Sequence, residues 1–111
     1  MSSGDVIRRE LVEGTLQQGV NEEVSYPVVI PTSWGTPVGE YVFVVKDMTN
    51  DYADVTSSVT SGSIEYVTAS RVLISKLVKG LTMGNRYRLE MRFRNDSGQL
   101  YEYYAELEAT R

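Results

Sequence analysis

Neither cysteine nor histidine occurs anywhere in the 111-residue chain. That removes disulfides, thiolate nucleophiles, imidazole bases and nearly every zinc, copper or haem site together. Serine is plentiful, but without histidine it has no conventional base beside it, and no glycine-rich phosphate loop is present. The chain is therefore expected to catalyse nothing and to carry no cofactor. It also lacks any run of about 18 apolar residues, the length needed to cross a bilayer. Met1-Ser2-Ser3-Gly4 leads into Asp5-Val6-Ile7-Arg8-Arg9-Glu10, not into an apolar signal-like stretch, so neither a membrane span nor export is expected. Concentrated positive charge is missing too: 15 acidic against 11 basic residues give a formal charge of -4, which argues against a nucleic-acid partner. Without disulfides, stability has to come from packing. That suits a reducing cytosol, and equally a particle assembled inside a cell and then released.

What is present is a string of β-prone segments. No stretch repeats apolar residues at helical spacing for more than two turns, and β-branched and aromatic residues dominate throughout. The segment from Val24 to Ile30 places Val24, Tyr26, Val28 and Ile30 on one face, with Pro27 marking an edge or a bulge. Tyr41-Val42-Phe43-Val44-Val45 is apolar on both faces, which predicts a central strand at the spine of the core. Short β-prone runs follow over 54–60, 63–68 and 71–78, split by Ser61-Gly62 and ended by Gly80. Residues 5–21 read as a weak first strand and a loose loop, or as an arm that pairs with another copy; the first strand is favoured. The length fits one domain. Residues 1–111 are expected to form a single antiparallel β-sandwich of about seven strands, with residues 1–4 disordered.

The last quarter is the most informative. Tyr87, Leu89, Met91 and Phe93 alternate with Arg86, Arg88, Glu90, Arg92 and Arg94, an inside/outside pattern. After a turn, Tyr101, Tyr103, Ala105, Leu107 and Ala109 share one face, and Glu102, Tyr104, Glu106 and Glu108 the other. If Asp96-Ser97-Gly98 forms a three-residue loop with Gly98 left-handed, Asn95 pairs with Gln99. Arg92 then faces Glu102, Arg88 faces Glu106 and Arg86 faces Glu108, while Phe93 meets Tyr101 and Met91 meets Tyr103. A slip of two residues would oppose Glu90 and Glu102, at roughly 0.2–1 kcal/mol for each misplaced pair. The arginine stripe is thus expected to be a salt-bridge ladder with the next strand.

Leu81, Gly84 and Tyr87 form a Leu-x-x-Gly-x-x-Tyr pattern just before that strand. It resembles the tyrosine corner of fibronectin type III and related immunoglobulin-like sandwiches, which implies that the Tyr87 hydroxyl folds back onto the preceding loop backbone. Trp34, the only tryptophan, is expected to cap the core from the loop after the second strand, the other reading being an exposed binding anchor. A wider likeness runs over roughly residues 47–108. It is carried by Asp47, Asp54-Val55-Thr56-Ser57-Ser58-Val59 with Gly62-Ser63, Leu81-x-x-Gly84-x-x-Tyr87-Arg88-Leu89, and Ser97-Gly98 followed by Glu102. These segments resemble the small Ig-like virion proteins of tailed bacteriophages, fibre-like or accessory. The resemblance implies a non-catalytic structural role on a particle assembled in the host cytoplasm, with another virion component or a second copy as partner.

The alternative reading is a fibronectin type III-like adhesion or carbohydrate-binding module of a larger cellular protein, cytoplasmic or extracellular. A start at Met1 and a domain that ends promptly after its last strand favour the virion reading. Among side chains that could carry chemistry, Asp47, Asn50, Asp51 and Asp54 gather oxygen ligands and could hold calcium, although Asp and Asn are also the default residues of turns. Glu102, Glu106 and Glu108 look neutralised by arginines and are not expected to form a paired-acid site. Of the eight tyrosines, Tyr104 is the best candidate for a partner surface, with cover for the arginine stems as the other reading.

Overall fold

The computed structural model describes residues 15–111 in full and the backbone of residues 6–10. The expected disorder of residues 1–4 lies outside the described residues. The strands are β1 (Val6–Glu10), β2 (Leu16–Gly19), β3 (Pro27–Val29), β4 (Pro37–Asp47), β5 (Ala53–Asp54), β6 (Thr60–Ser61), β7 (Glu65–Val67), β8 (Val72–Ile74), β9 (Leu77–Val78), β10 (Arg86–Asn95) and β11 (Leu100–Thr110). One helical turn, α1 (Thr56–Val59), and two 3-10 turns, Thr32–Trp34 and Met48–Asn50, complete the secondary structure of the described residues. One layer is a six-stranded sheet in the order β1-β11-β10-β4-β5, with β2 also paired to β11. The other consists of two ladders, β3-β8-β7 and β6-β9. This is the all-β sandwich expected from the sequence, cut into more and shorter strands.

The core follows from the alternation in β10 and β11. Tyr87, Leu89, Met91, Phe93, Tyr101, Tyr103 and Leu107 are all buried, and pack against Ile30, Leu73 and Val78 of the second layer. Burial of one such large side chain contributes about 1.5–3 kcal/mol, so these two strands dominate the stability of the layer contact. Their register is the one the charges predict: Arg92 opposite Glu102, Arg88 opposite Glu106, Arg86 opposite Glu108, Phe93 opposite Tyr101 and Met91 opposite Tyr103. At the hairpin tip the Asn95 N–H donates to the Gln99 carbonyl at 2.9 Å, and Gly98 has a φ of 81°. A left-handed residue there closes the three-residue loop, and glycine takes that conformation without a Cβ clash.

Three expectations are corrected. The β-prone run 54–60 is not a strand: the Asp54 carboxylate accepts from the Thr56 N–H at 3.0 Å and the Thr56 hydroxyl at 2.6 Å, and α1 starts there. Local side-chain bonds of this kind compete with a ladder. The Tyr41–Val45 segment belongs to β4, but it is not central. Phe43 and Val45 do lie in the core, but β5 pairs only with Lys46 and Asp47 and Val45 is bonded by Val55 and Thr56, so β4 before Val45 forms the sheet margin, where Val38 is 60% and Val42 43% exposed. Valine favours the extended backbone whether or not its face is covered, and apolar pattern alone does not separate the two cases. The N-terminal segment supplies not one strand but β1 and β2, both parallel to β11 in an otherwise antiparallel architecture.

The second layer breaks between β8 and β9 for a local reason. The Ser75 hydroxyl accepts from the Tyr26 N–H at 2.9 Å and donates to the Lys76 carbonyl at 2.7 Å. A side chain there takes up backbone groups that a continuous ladder would use.

Candidate functional site

The residues singled out by sequence fall at different places on the sandwich, and most are committed to holding it together. The Tyr87 hydroxyl accepts a hydrogen bond from the Thr82 N–H at 2.9 Å, Leu81 is buried beneath the loop, and Gly84 turns the chain at a φ of 86°. The Gly84 N–H then donates to the Ala109 carbonyl at 2.9 Å, which ties this corner to the last strand. It is a structural bend with no group free for chemistry.

Trp34 is half-buried at the opposite end of β10. Its ring lies 5.5 Å from Tyr101, 6.0 Å from Tyr103 and 6.5 Å from Phe93, centroid to centroid, so it closes that end of the core. Two residues that the sequence reading did not single out hold its loop. Arg71, at a φ of 57°, donates from Nε to the Ile30 carbonyl at 2.9 Å and from Nη2 to the Gly35 carbonyl at 2.7 Å and the Pro31 carbonyl at 3.1 Å. Asn95, buried in the hairpin, donates to the Trp34 carbonyl at 2.9 Å and accepts from the Ser97 and Gln99 N–H groups. Gly35 packs so closely on it that a Cβ there would stand 2.7 Å from Asn95 Nδ2. Asn95 was detectable, because Asn-Asp-Ser-Gly is a turn in which the first side chain bonds forward. Nothing around Arg71 announces its role.

On the outer face the ladder forms with a diagonal offset. Arg92 pairs with Glu102 at 3.2 Å as expected, but Arg86 reaches Glu106 at 2.7 Å instead of Glu108. Arg88 lies 2.8 Å from Glu90 on its own strand, in ion contact without hydrogen-bond alignment, and its guanidinium sits 3.7 Å above the Tyr104 ring. The right-handed twist of the strands brings diagonal neighbours together, which long side chains exploit. Tyr104 is thus half-buried under an arginine. Arg94 pairs with Glu40.

The acidic loop is not assembled as a cation site. Asp47 is buried and accepts from the Thr49 N–H and from Asn85 Nδ2, both at 3.0 Å. Asp54 is occupied with Thr56, whose hydrogen bonds hold its carboxyl below the usual carboxylate range, and Asp51 ends a 3-10 turn in left-handed conformation. Among the described residues no three metal-ligating side chains converge.

Between the two layers lies a small, partly open pocket of about 30 Å³ lined by Leu16, Tyr26, Phe43, Met91, Tyr103 and Ala105, among others. The buried Tyr103 hydroxyl has no hydrogen-bond partner, and burial pushes its ionisation well above the ordinary value of 10.0. Tyr26 is pushed up to about 12, by burial first and then by the Glu22 carboxylate; its hydroxyl donates to Gln18 at 2.6 Å. These phenols are neutral at physiological pH and offer no nucleophile.

Neither a scan of protein-family models nor a search of curated proteins finds a match for this chain. Among the described residues no helix is long and apolar enough to cross a membrane.

Proposed function

We propose that this chain is a non-catalytic structural or accessory protein of a tailed-phage particle, attached through its sandwich to capsid or tail. One observation supports the non-catalytic half: many of the described charged side chains are engaged within the fold. Arg86, Arg92 and Arg94 are spent on Glu106, Glu102 and Glu40, Arg71 on loop carbonyls, and Asp47 and Asp54 on their own turns. Such a molecule acts by presenting a fixed surface. The particle itself is inferred from the sequence likeness over 47–108.

The test is to band particles of the encoding phage on a density gradient and to analyse the band by mass spectrometry. Recovery of the chain at a fixed copy number per particle is the expected result. A chain left entirely at the top of the gradient would overturn the reading.

A further inference from the structure

β11 is one of the two longest strands in the structure, and its outer margin is filled in an unusual way. Two short segments from the N-terminal end of the chain lie along it in line, both parallel to it. β1 runs from Val6 opposite Leu100 to Glu10 opposite Tyr104, and β2 from Leu16 opposite Leu107 to Gly19 opposite Thr110. The five linking residues 11–15 correspond to two on β11, Ala105 and Glu106. Five residues can span up to about 17 Å when extended. Parallel pairing is slightly weaker per residue than antiparallel pairing. β1 is the end strand of the main sheet, and among the described residues its one ladder partner is β11.

We infer that β1 is an exchangeable arm, and that the Leu100–Tyr104 margin of β11 accepts the Val6–Glu10 strand of a second copy. Exchange keeps every pairing that the single chain makes, so its thermodynamic cost is mainly association entropy, which a crowded assembly lowers. In that register Arg8 stands opposite Glu102. The margins of β4 and β3 serve less well. β4 is closed at Val45 by the Val55 N–H and the Thr56 hydroxyl, and interrupted at Gly39–Glu40 by shifts in its register with β10. β3 is short and begins with a proline, which has no N–H to donate.

The inference rests on the reading that this chain works by assembly, and its test separates the two. The natural chain has no cysteine, so crosslinks report only introduced pairs. V6C and L100C chains carrying different mass labels are mixed at high concentration and oxidised. The expected product is a covalent dimer joining position 6 of one chain to position 100 of the other. By mass action, a tenfold rise in free wild-type monomer should raise the dimer-to-monomer ratio about tenfold in sedimentation equilibrium. The inference is overturned if the V6C/L100C double variant closes within single chains while the mixed single variants stay monomeric. Should V6C fail to fold, Glu10→Cys with Tyr104→Cys repeats the experiment at the other end of β1. Exchange without particle binding refutes only the virion reading, and particle binding without crosslinks refutes only the arm.

Discussion

Tyr87 and Tyr103 are both buried tyrosines of the main sheet, yet their hydroxyls stand in opposite situations. Tyr87 satisfies the Thr82 N–H, whereas Tyr103 has no partner. Tyr87→Phe leaves a backbone donor unpaired and is expected to cost about 1–3 kcal/mol, while Tyr103→Phe removes an unsatisfied group and should be neutral or stabilising by up to about 1 kcal/mol. Urea denaturation of the two variants beside the wild type checks the contrast, and a loss of more than about 2 kcal/mol in Tyr103→Phe would contradict it. A further phenol, that of half-buried Tyr26, makes stability depend on alkaline pH. Because the folded state raises the Tyr26 ionisation to about 12 from 10.0, it holds a proton that the unfolded chain releases first. The resulting stability is complete below pH 10 and lost as pH rises through about 12. Tyr26→Phe should flatten the fall of unfolding free energy across that window, read from denaturation curves at stepped pH.

At the scale of elements, the Trp34 loop is held by Arg71 together with Asn95. Arg71→Lys keeps the charge but cannot reproduce a planar fork aimed at three carbonyls, so it should cost about 1–3 kcal/mol and loosen the loop. Trp34 is the only tryptophan. A red shift and faster quenching of its fluorescence before global unfolding would report that loosening, and an unchanged spectrum would count against it. The elements also show what was legible beforehand and what was not. β10 and β11 were readable to the residue, because strict alternation, opposed charges and a loop ending in Gly98 all favour one register. The bend at Leu81, Gly84 and Tyr87 was readable because its parts lie within seven positions of one another. β1 and β2 were not, since parallel pairing with β11 depends on residues some ninety positions away and leaves no local mark. The grip of Arg71 on Ile30, Pro31 and Gly35 escaped for the same reason, and α1 escaped because Asp54 and Thr56 outweigh the β propensity around them. Of the residues suspected of chemistry, Asp47 and Asp54 spend carboxylate oxygens on hydrogen bonds that hold turns of the chain.

For the molecule as a whole, the main sheet joins the two ends of the chain: β1 and β2 lie on β11, and β10 and β11 cannot bury their inner faces until the second layer arrives. Folding dominated by such distant pairings is expected on the millisecond-to-second scale, which stopped-flow refolding followed through Trp34 would measure. A microsecond refolding time would mean that local structure does more of the work than the topology allows. The break in the second layer at Ser75 adds a mechanical property. Next to it lies the small pocket under Tyr103, where packing between the two layers leaves a gap. Hydrostatic pressure favours whichever state has less empty space, so squeezing this protein should first loosen the wall that contains Ser75 and leave the β10-β11 hairpin for last. A partner that needs the sandwich to yield is then expected to find its give on the layer interrupted at Ser75.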